Sequence, residues 1–223
     1  MKILGISDLH GTLPKITNEE FDVLCICGDL FPLKIQDNMP KCKSWLKEKF
    51  IKWCESIPCD HVLLIAGNHD ICFERTIKTD IDSIFKNTKI HYLENDLIEL
   101  DGIKFYGTPY CTIFGNWAFM RDEENLSLIF DNIPENIDVL LTHDAPYGTS
   151  DICFQKAPWI TEEHLGNIPL RDAIITKSPK FNLHGHLHSS NHSAELLNNT
   201  EVYNVSLLDE KYKLIYDPLK LEL

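Results

Sequence analysis

The sequence has no Cys-x-x-Cys motif, although eight of its 223 residues are cysteine. Closely spaced cysteine pairs mark structural zinc sites and redox centres, so neither kind of site is predicted. Cys25 and Cys27 lie within one apolar run, and the other cysteines are scattered. We therefore expect buried, reduced thiols rather than a disulfide framework.

Long hydrophobic runs and positive charge are also scarce. No run approaches the roughly 20 apolar residues of a membrane span, and the N-terminus lacks the segments of a signal peptide. We therefore expect a cytoplasmic protein without a membrane partner.

Lys and Arg number 21 against 34 Asp and Glu, which gives a net charge of -13. With no local basic cluster, this charge argues against non-specific binding to nucleic acids.

Repeats, low-complexity stretches and linkers rich in Pro, Gly or Ser are absent as well. A hydrophobic content of 43% over 223 residues is enough for one well-buried core. We therefore predict a single domain over residues 1–223. Nothing in the sequence indicates an oligomeric state.

What the chain does contain is a series of five short islands of metal-binding residue types. They are Asp8-Leu-His10, Gly28-Asp29, Gly67-Asn68-His69-Asp70, Thr142-His143 and Gly185-His186-Leu-His188. Asp8 and His10 alone would be read as surface polar residues or a cap. Together, the five islands supply the carboxylates, imidazoles and amide of a two-metal hydrolytic centre.

Each island follows a short aliphatic run that reads as a buried strand. These predicted strands cover residues 2–7, 22–27, 61–66, 138–142 and 180–183. The candidate ligands would thus lie on loops at the carboxyl ends of strands, where open α/β sheets place their sites. The glycines in the islands let the backbone bring bulky ligand side chains close together.

The remaining pattern predicts helices and hairpins. We expect a helix from a Ser44 cap to just before Pro58, further helices over 80–86, 123–132 and 171–177, a hairpin over 97–106 with a turn at Asp101-Gly102, and strands over 193–197, 202–207 and 211–216. Alternating strand and helix units followed by hairpins fit two sheets packed face to face and covered by helices.

With these motifs, the chain resembles the calcineurin-like metallophosphoesterases. Their signature of D-x-H, G-D, G-N-H-[DE], H and G-H-x-H is matched from residue 3 to about residue 206. Residues 103–110, 114–119, 133–143 and 203–206 further resemble the MPPED group of metallophosphodiesterases. The resemblance implies an α/β fold, a four-layer α-β-β-α sandwich of two mixed β-sheets.

The resemblance also implies a role for each island residue. One metal ion would be held by Asp8, His10, Asp29 and His188, and the other by Asp29, Asn68, His143 and His186, with Asp29 bridging. His69 would protonate the leaving alkoxide, and Asp70 would orient its ring. Two divalent ions are expected, with manganese favoured over iron, zinc, nickel or magnesium.

The function implied is metal-dependent hydrolysis of a small phosphoester, by in-line attack of a hydroxide shared between the ions. The MPPED-like segments favour a phosphodiester such as a cyclic nucleotide. A phosphomonoesterase acting on a nucleotide, a metabolite or a phosphoprotein is the alternative. A non-catalytic scaffold on the same fold is a third hypothesis, disfavoured because no ligand position is lost.

Residues 110–121 form a long aromatic segment that allows two interpretations. It would be a lid or wall over the metals, or a loop that packs its own aromatics against a sheet. Asn116, Trp117 and Arg121 are the candidates here for contact with a nucleobase or a phosphate.

Overall fold

The computed structural model describes residues 1–16, 20–154, 158 and 163–223. Its strands in chain order are β1 (Lys2–Ile6), β2 (Val23–Cys27), β3 (His61–Ile65), β4 (Ile90–Tyr92), β5 (Asp96–Leu100), β6 (Ile103–Thr108), β7 (Cys111–Thr112), β8 (Met120–Arg121), β9 (Val139–Thr142), β10 (Phe181–His184), β11 (Glu195–Leu197), β12 (Thr200–Asn204) and β13 (Leu219–Glu222). Its α-helices are α1 (Met39–Trp45), α2 (Ile51–Ser56), α3 (Ile71–Glu74), α4 (Lys78–Phe85), α5 (Glu123–Asp131) and α6 (Ile168–Lys177), and a π-helical turn over Leu46–Phe50 joins α1 to α2.

The strands form two mixed sheets and one small pair. The first sheet has the order β13-β1-β2-β3-β4, and only β13 runs antiparallel to its neighbour. The second sheet has the order β11-β12-β10-β9-β6-β5 and is parallel in its middle, with antiparallel strands at both edges. A separate parallel pair joins β7 to β8.

Alternating side chains on these strands build three cores and therefore four layers. Between the sheets, Ile3 and Cys25 of the first sheet belong to one cluster with Phe105 and Leu141 of the second. The opposite face of the first sheet packs against the helices α1, α2 and α4, and that of the second against α5 and α6. The predicted α-β-β-α sandwich of two mixed sheets is thus confirmed.

The first long helix begins six residues earlier than predicted. Asn38 is its N-cap, since the Asn38 side-chain oxygen accepts a hydrogen bond of 3.2 Å from the backbone nitrogen of Lys41, and Pro40 fits the first turn. Ser44 instead donates to Glu48 at 2.8 Å within the helix. The expected Ser44 cap was wrong because Asn38 and Pro40 together are the stronger start signal.

The chain end also differs from the expectation. The predicted hairpin is present as β5 and β6, but residues 211–216 form no strand, because Asp209 accepts hydrogen bonds from the backbone nitrogens of Lys211 and Lys213 and Tyr212 has a φ of 58°. A left-handed φ is incompatible with a strand. The last strand is β13, which pairs with β1.

Two features predicted from composition can be compared with the structure. Seven of the eight cysteines are buried, and no disulfide joins any of them. Among the described residues, no helix is long and apolar enough to cross a membrane.

Candidate metal centre

Five strand ends, three from the first sheet and two from the second, bring the islands to one rim of the sandwich. Asp8 and Asp29 follow β1 and β2, Asn68 follows β3, His143 follows β9, and the last histidine pair follows β10. Hydrogen bonds between the connecting loops join them, for example from the Asp8 nitrogen to the Gly28 oxygen at 3.1 Å. Asp8 and His186, which are 178 positions apart in sequence, thus become neighbours.

One group of ligand atoms comes from Asp8, His10 and His188. Their ligand atoms all lie within 4.8 Å of one another, and all three side chains are at least largely buried. The Nε2 atoms of His10 and His188 face each other at 3.4 Å, and His188 Nε2 lies 3.2 Å from an oxygen of Asp8. Two imidazole nitrogens and a carboxylate oxygen therefore converge on one point.

A second group lies beside the first and comes from the other islands. The amide oxygen of Asn68 is 2.9 Å from Nε2 of His143 and 2.9 Å from Nδ1 of His186. Asp8, Asp29 and His143 again offer ligand atoms within 4.8 Å of one another.

Asp29 faces both groups. One oxygen lies 3.5 Å from Nε2 of His10, and the other lies 3.4 Å from Nε2 of His143. This is the placement expected of a carboxylate that bridges two ions.

Four candidate ligands have the left-handed backbone conformation that non-glycine residues rarely adopt. The φ angles are 55° for Asp8, 42° for His10, 54° for Asp29 and 68° for His186. Such strain persists only where the surrounding structure enforces it, and it concentrates at functional sites.

Two island glycines are required for this close packing. A Cβ atom on Gly185 would overlap the carboxylate of Asp8, and one on Gly67 would overlap the carboxylate of Asp29. The expectation that these glycines allow close approach is therefore met by the structure.

The electrostatics of the cluster suit a cation. Burial lowers the pKa of His10 to about 4, so its imidazole is neutral at neutral pH and has a lone pair to offer. Burial also acts to lower the pKa values of His143 and His188, but Asp29 and Asp8 outweigh it and raise them to about 10 and about 9. The buried carboxylates thus demand positive charge, which divalent ions would supply in place of protons. This mixture of carboxylate, amide and imidazole donors fits divalent metal ions.

Among the hydrogen bonds of the described residues, none joins Asp70 to the ring of His69. The Asp70 carboxylate is fully buried and accepts three backbone hydrogen bonds, from Leu30 at 2.8 Å, Phe31 at 3.1 Å and Gly67 at 2.8 Å. These hydrogen bonds do not support the expected orienting role of Asp70. Asp70 instead holds together the two loops that follow β2 and β3, because its position faces their backbone.

The side chain that does contact His69 is Gln36, whose amide oxygen lies 2.9 Å from Nδ1 of the ring. Burial, followed by the charge of Asp29, raises the pKa of Asp70 to about 7, so Asp70 is linked to the centre through electrostatics rather than through His69.

Some of residues 110–121 fit the interpretation as a wall over the metals, and others fit the interpretation as a self-packing loop. Phe119 is buried and packs against Tyr110, while the ring of Trp117 contacts that of His69 with centroids 4.4 Å apart. Trp117 lines a cavity of about 410 Å³ over the cluster. Asn116 and Arg121 are not among its described lining residues, and Arg121 pairs with Glu74 at 3.1 Å. The expectation that Arg121 faces a substrate is therefore not supported by its position.

Sequence reasoning missed three supporting residues. Ser206 donates a hydrogen bond of 2.6 Å to Asp8, Asp144 accepts from the backbone of Thr112 at 2.8 Å, and Gln36 contacts His69. Ser206 ends a segment that resembled the family, and Asp144 directly follows His143. The position of each in the sequence could therefore have indicated a place near the centre. The position of Gln36 gave no such indication.

Comparison with known proteins finds relatives that align with nearly the whole chain. Metallophosphoesterase domain-containing protein 1 of Homo sapiens is 24% identical over an alignment of 247 residues. This alignment covers 100% of this chain and 71% of that protein. An uncharacterized protein of Methanocaldococcus jannaschii is 26% identical over 238 residues and covers 99% of this chain and 93% of its own length.

Solved structures share the fold. The phosphopantetheinyl hydrolase of Mycobacterium tuberculosis superposes with a TM-score of 0.58 at 12% identity, over 95% of this chain and 90% of that one. The protein TT1561 of Thermus thermophilus gives a TM-score of 0.59 at 12% identity, over 91% and 88%. A family profile described as calcineurin-like phosphoesterase matches residues 1–215. The chain therefore belongs to the calcineurin-like phosphoesterases, a family of metal-dependent phosphoester hydrolases, and it carries a cluster of ligands for divalent metal ions.

Proposed function

We propose that this protein is a phosphodiesterase that hydrolyses small phosphodiesters, such as cyclic nucleotides, with two divalent metal ions. The observation that supports a diester over a monoester is the charge of the cavity. None of the described residues lining it is Lys or Arg, while Asp29 and Glu210 are both present. A phosphomonoester carries one more negative charge than a diester and would need a further cation here. The cavity therefore favours the diester.

The two groups of donors would hold one ion each, with Asp29 shared. Asp8, His10 and His188 belong to the first group, and Asn68, His143 and His186 to the second. When bound, the ions would acidify a water molecule for in-line attack and neutralise charge on the phosphoryl oxygens. Manganese is our first choice because the donors mix hard oxygens with borderline nitrogens.

The protein's own contribution to the reaction would be a proton. His69 lines the cavity and has no place in either donor group, so its ring is available to protonate the leaving alkoxide. Phe114, Trp117 and Tyr212 line the same cavity and offer planar faces to a nucleobase.

A substrate screen tests this function. We would measure hydrolysis of bis(4-nitrophenyl) phosphate and 4-nitrophenyl phosphate by the manganese-loaded protein, followed by cyclic AMP isomers and AMP. We expect a higher kcat/KM for the diester of each pair, and we expect Asp29→Ala to be inactive on all. Preference for the monoesters would establish the phosphomonoesterase alternative, and no turnover at full metal content would favour the scaffold.

The role of His69 has its own test. A proton donor matters most when the leaving group is poor, since an alkoxide must be protonated as it departs while a nitrophenolate leaves unaided. His69→Ala should lower turnover of an alkyl ester by roughly 10²- to 10⁴-fold and spare the nitrophenyl ester much more. Metal content should stay normal. Equal losses on both esters would assign His69 to binding instead.

A further inference from the structure

The ring of His69 is hydrogen-bonded to a residue that no motif includes. The amide oxygen of Gln36 lies 2.9 Å from Nδ1 of His69, and the two residues are 33 positions apart. Both line the cavity over the metal centre. The contact therefore joins the loop before α1 to the loop after β3.

The backbone around Gln36 gives it a fixed position. Ile35 donates a backbone hydrogen bond to the oxygen of Pro32 at 2.9 Å, and Asn38 donates to the oxygen of Ile35 at 2.8 Å. The helix α1 begins directly afterwards at its Asn38 cap. Consecutive turns that lead into a capped helix hold the backbone of Gln36 on both sides.

Other contacts confine the His69 ring without binding Nδ1. Trp117 packs against it with centroids 4.4 Å apart, and the ring of His10 meets it edge-on at 5.1 Å. The backbone nitrogen of His69 donates to Asp29 at 2.8 Å. Asp70, the neighbour in sequence, is occupied by three backbone donors. Within the described part of the chain, the hydrogen bond that selects the ring orientation thus comes from Gln36.

We propose that Gln36 is a positioning residue, which accepts a hydrogen bond from the Nδ1–H of His69 and so directs Nε2, which carries the proton to be transferred, toward the leaving group. The proposal rests on the proposed role of His69 as the proton donor. A neutral amide does this without placing another negative charge beside a cluster that already holds Asp8 and Asp29. An imidazole free to turn would spend much of its time with the wrong nitrogen in the cavity, and misplacement of a catalytic group is costly.

The kinetic test compares two substitutions at this position. Gln36→Met keeps the length of the side chain but removes the acceptor, whereas Gln36→Glu keeps an acceptor. The substrates are methyl aryl phosphates whose leaving groups range from 4-nitrophenol to phenol. Gln36→Met should lower turnover of the phenol ester by roughly 10- to 100-fold and spare the nitrophenol ester. Gln36→Glu adds a charge that acts on both anionic esters alike, so it should keep the wild-type ratio of the two rates.

Matched controls separate positioning from general damage. Lys34→Ala changes an exposed residue of the same loop and should leave both rates unchanged. Gln36→Met combined with His69→Ala should be no slower than His69→Ala alone, because both substitutions remove the same effect. Equal losses on both esters, additive losses in the double variant, or a Gln36→Glu protein with the same ratio of the two rates as Gln36→Met would each overturn the proposal.

A spectroscopic readout does not depend on turnover. In the zinc-loaded, ¹⁵N-histidine-labelled protein, the ring signals of His69 are identified by their loss in His69→Ala. At a pH where the ring is neutral, we expect a single tautomer with the proton on Nδ1 in the wild type and a mixture in Gln36→Met. An unchanged tautomer in Gln36→Met refutes the role of Gln36 whatever the activity. A locked ring in a protein that hydrolyses no ester refutes the proposed function and leaves the placement of the ring by Gln36 standing.

Discussion

Replacing Asp70 by alanine should destabilise the protein rather than remove only proton transfer. Asp70 is fully buried, and its two oxygens accept three backbone hydrogen bonds, from Leu30, Phe31 and Gly67. Each buried donor left without an acceptor costs about 1–3 kcal/mol. The substitution removes the acceptor of all three donors at once, but the loops relax in part. We therefore expect the free energy of unfolding to fall by about 3–5 kcal/mol.

Asparagine at this position should have a smaller effect. Its amide oxygen keeps the acceptor for Leu30 and Phe31, but its NH₂ group then faces the N–H of Gly67, so one of the three bonds is lost. We expect Asp70→Asn to cost about 1–3 kcal/mol, between the wild type and Asp70→Ala. The ordering of the three proteins is the specific result that the geometry requires.

Urea unfolding in the presence of a chelator measures these differences without a contribution from bound metal. Asp37→Asn, which removes an exposed carboxylate, is the matched control and should change stability by less than about 0.5 kcal/mol. If both Asp70 variants kept wild-type stability and lost turnover only on esters with poor leaving groups, Asp70 would act through His69 and the reasoning from its hydrogen bonds would be refuted.

Three further predictions follow from the described contacts. Asp29→Ala should lose both metal ions, whereas Asn68→Ala or His143→Ala should lose mainly one, because Asp29 presents one oxygen to each donor group; metal analysis of the purified variants that finds two ions in Asp29→Ala would remove the bridging role. Manganese should raise the melting temperature and chelator should lower it, since ions that bind the folded cluster and not the unfolded chain stabilise the folded state, and a melting temperature insensitive to both would contradict the assembled cluster. The hydrogen bond of 2.8 Å from His164 to Asp151 raises the pKa of His164 above its usual 6.5. The stability that this bond gives to the folded protein is therefore present below pH 6.5 and is lost as pH rises through the folded-state pKa of His164. His164→Gln should therefore show a smaller fall in melting temperature between about pH 6 and 8.5 than the wild type, and an equal fall would rule out this pair as the cause.

The sequence by itself determined the residue types of the candidate centre and their placement on strand ends. Each island follows its apolar run directly, so a local pattern places Asp29 after β2 and His143 after β9. Because the carboxyl ends of parallel strands lie at the same edge of a sheet, the pattern also predicted that the islands converge. The layers followed from the same alternation of apolar residues and from the resemblance.

Only the tertiary structure decided which side chains support the centre. Gln36 meets His69 across 33 positions, and Asp70 faces the backbone of Leu30 across 40, although a motif had suggested a contact between the two neighbours His69 and Asp70. The pairing of β13 with β1 joins the two ends of the chain. No local sequence pattern predicts these contacts, since each depends on the positions that separate loops take once the cores have packed. Local propensity specifies which groups stand at a strand end, but the direction of a buried hydrogen bond is fixed by whichever donor or acceptor the packing of distant segments brings within reach.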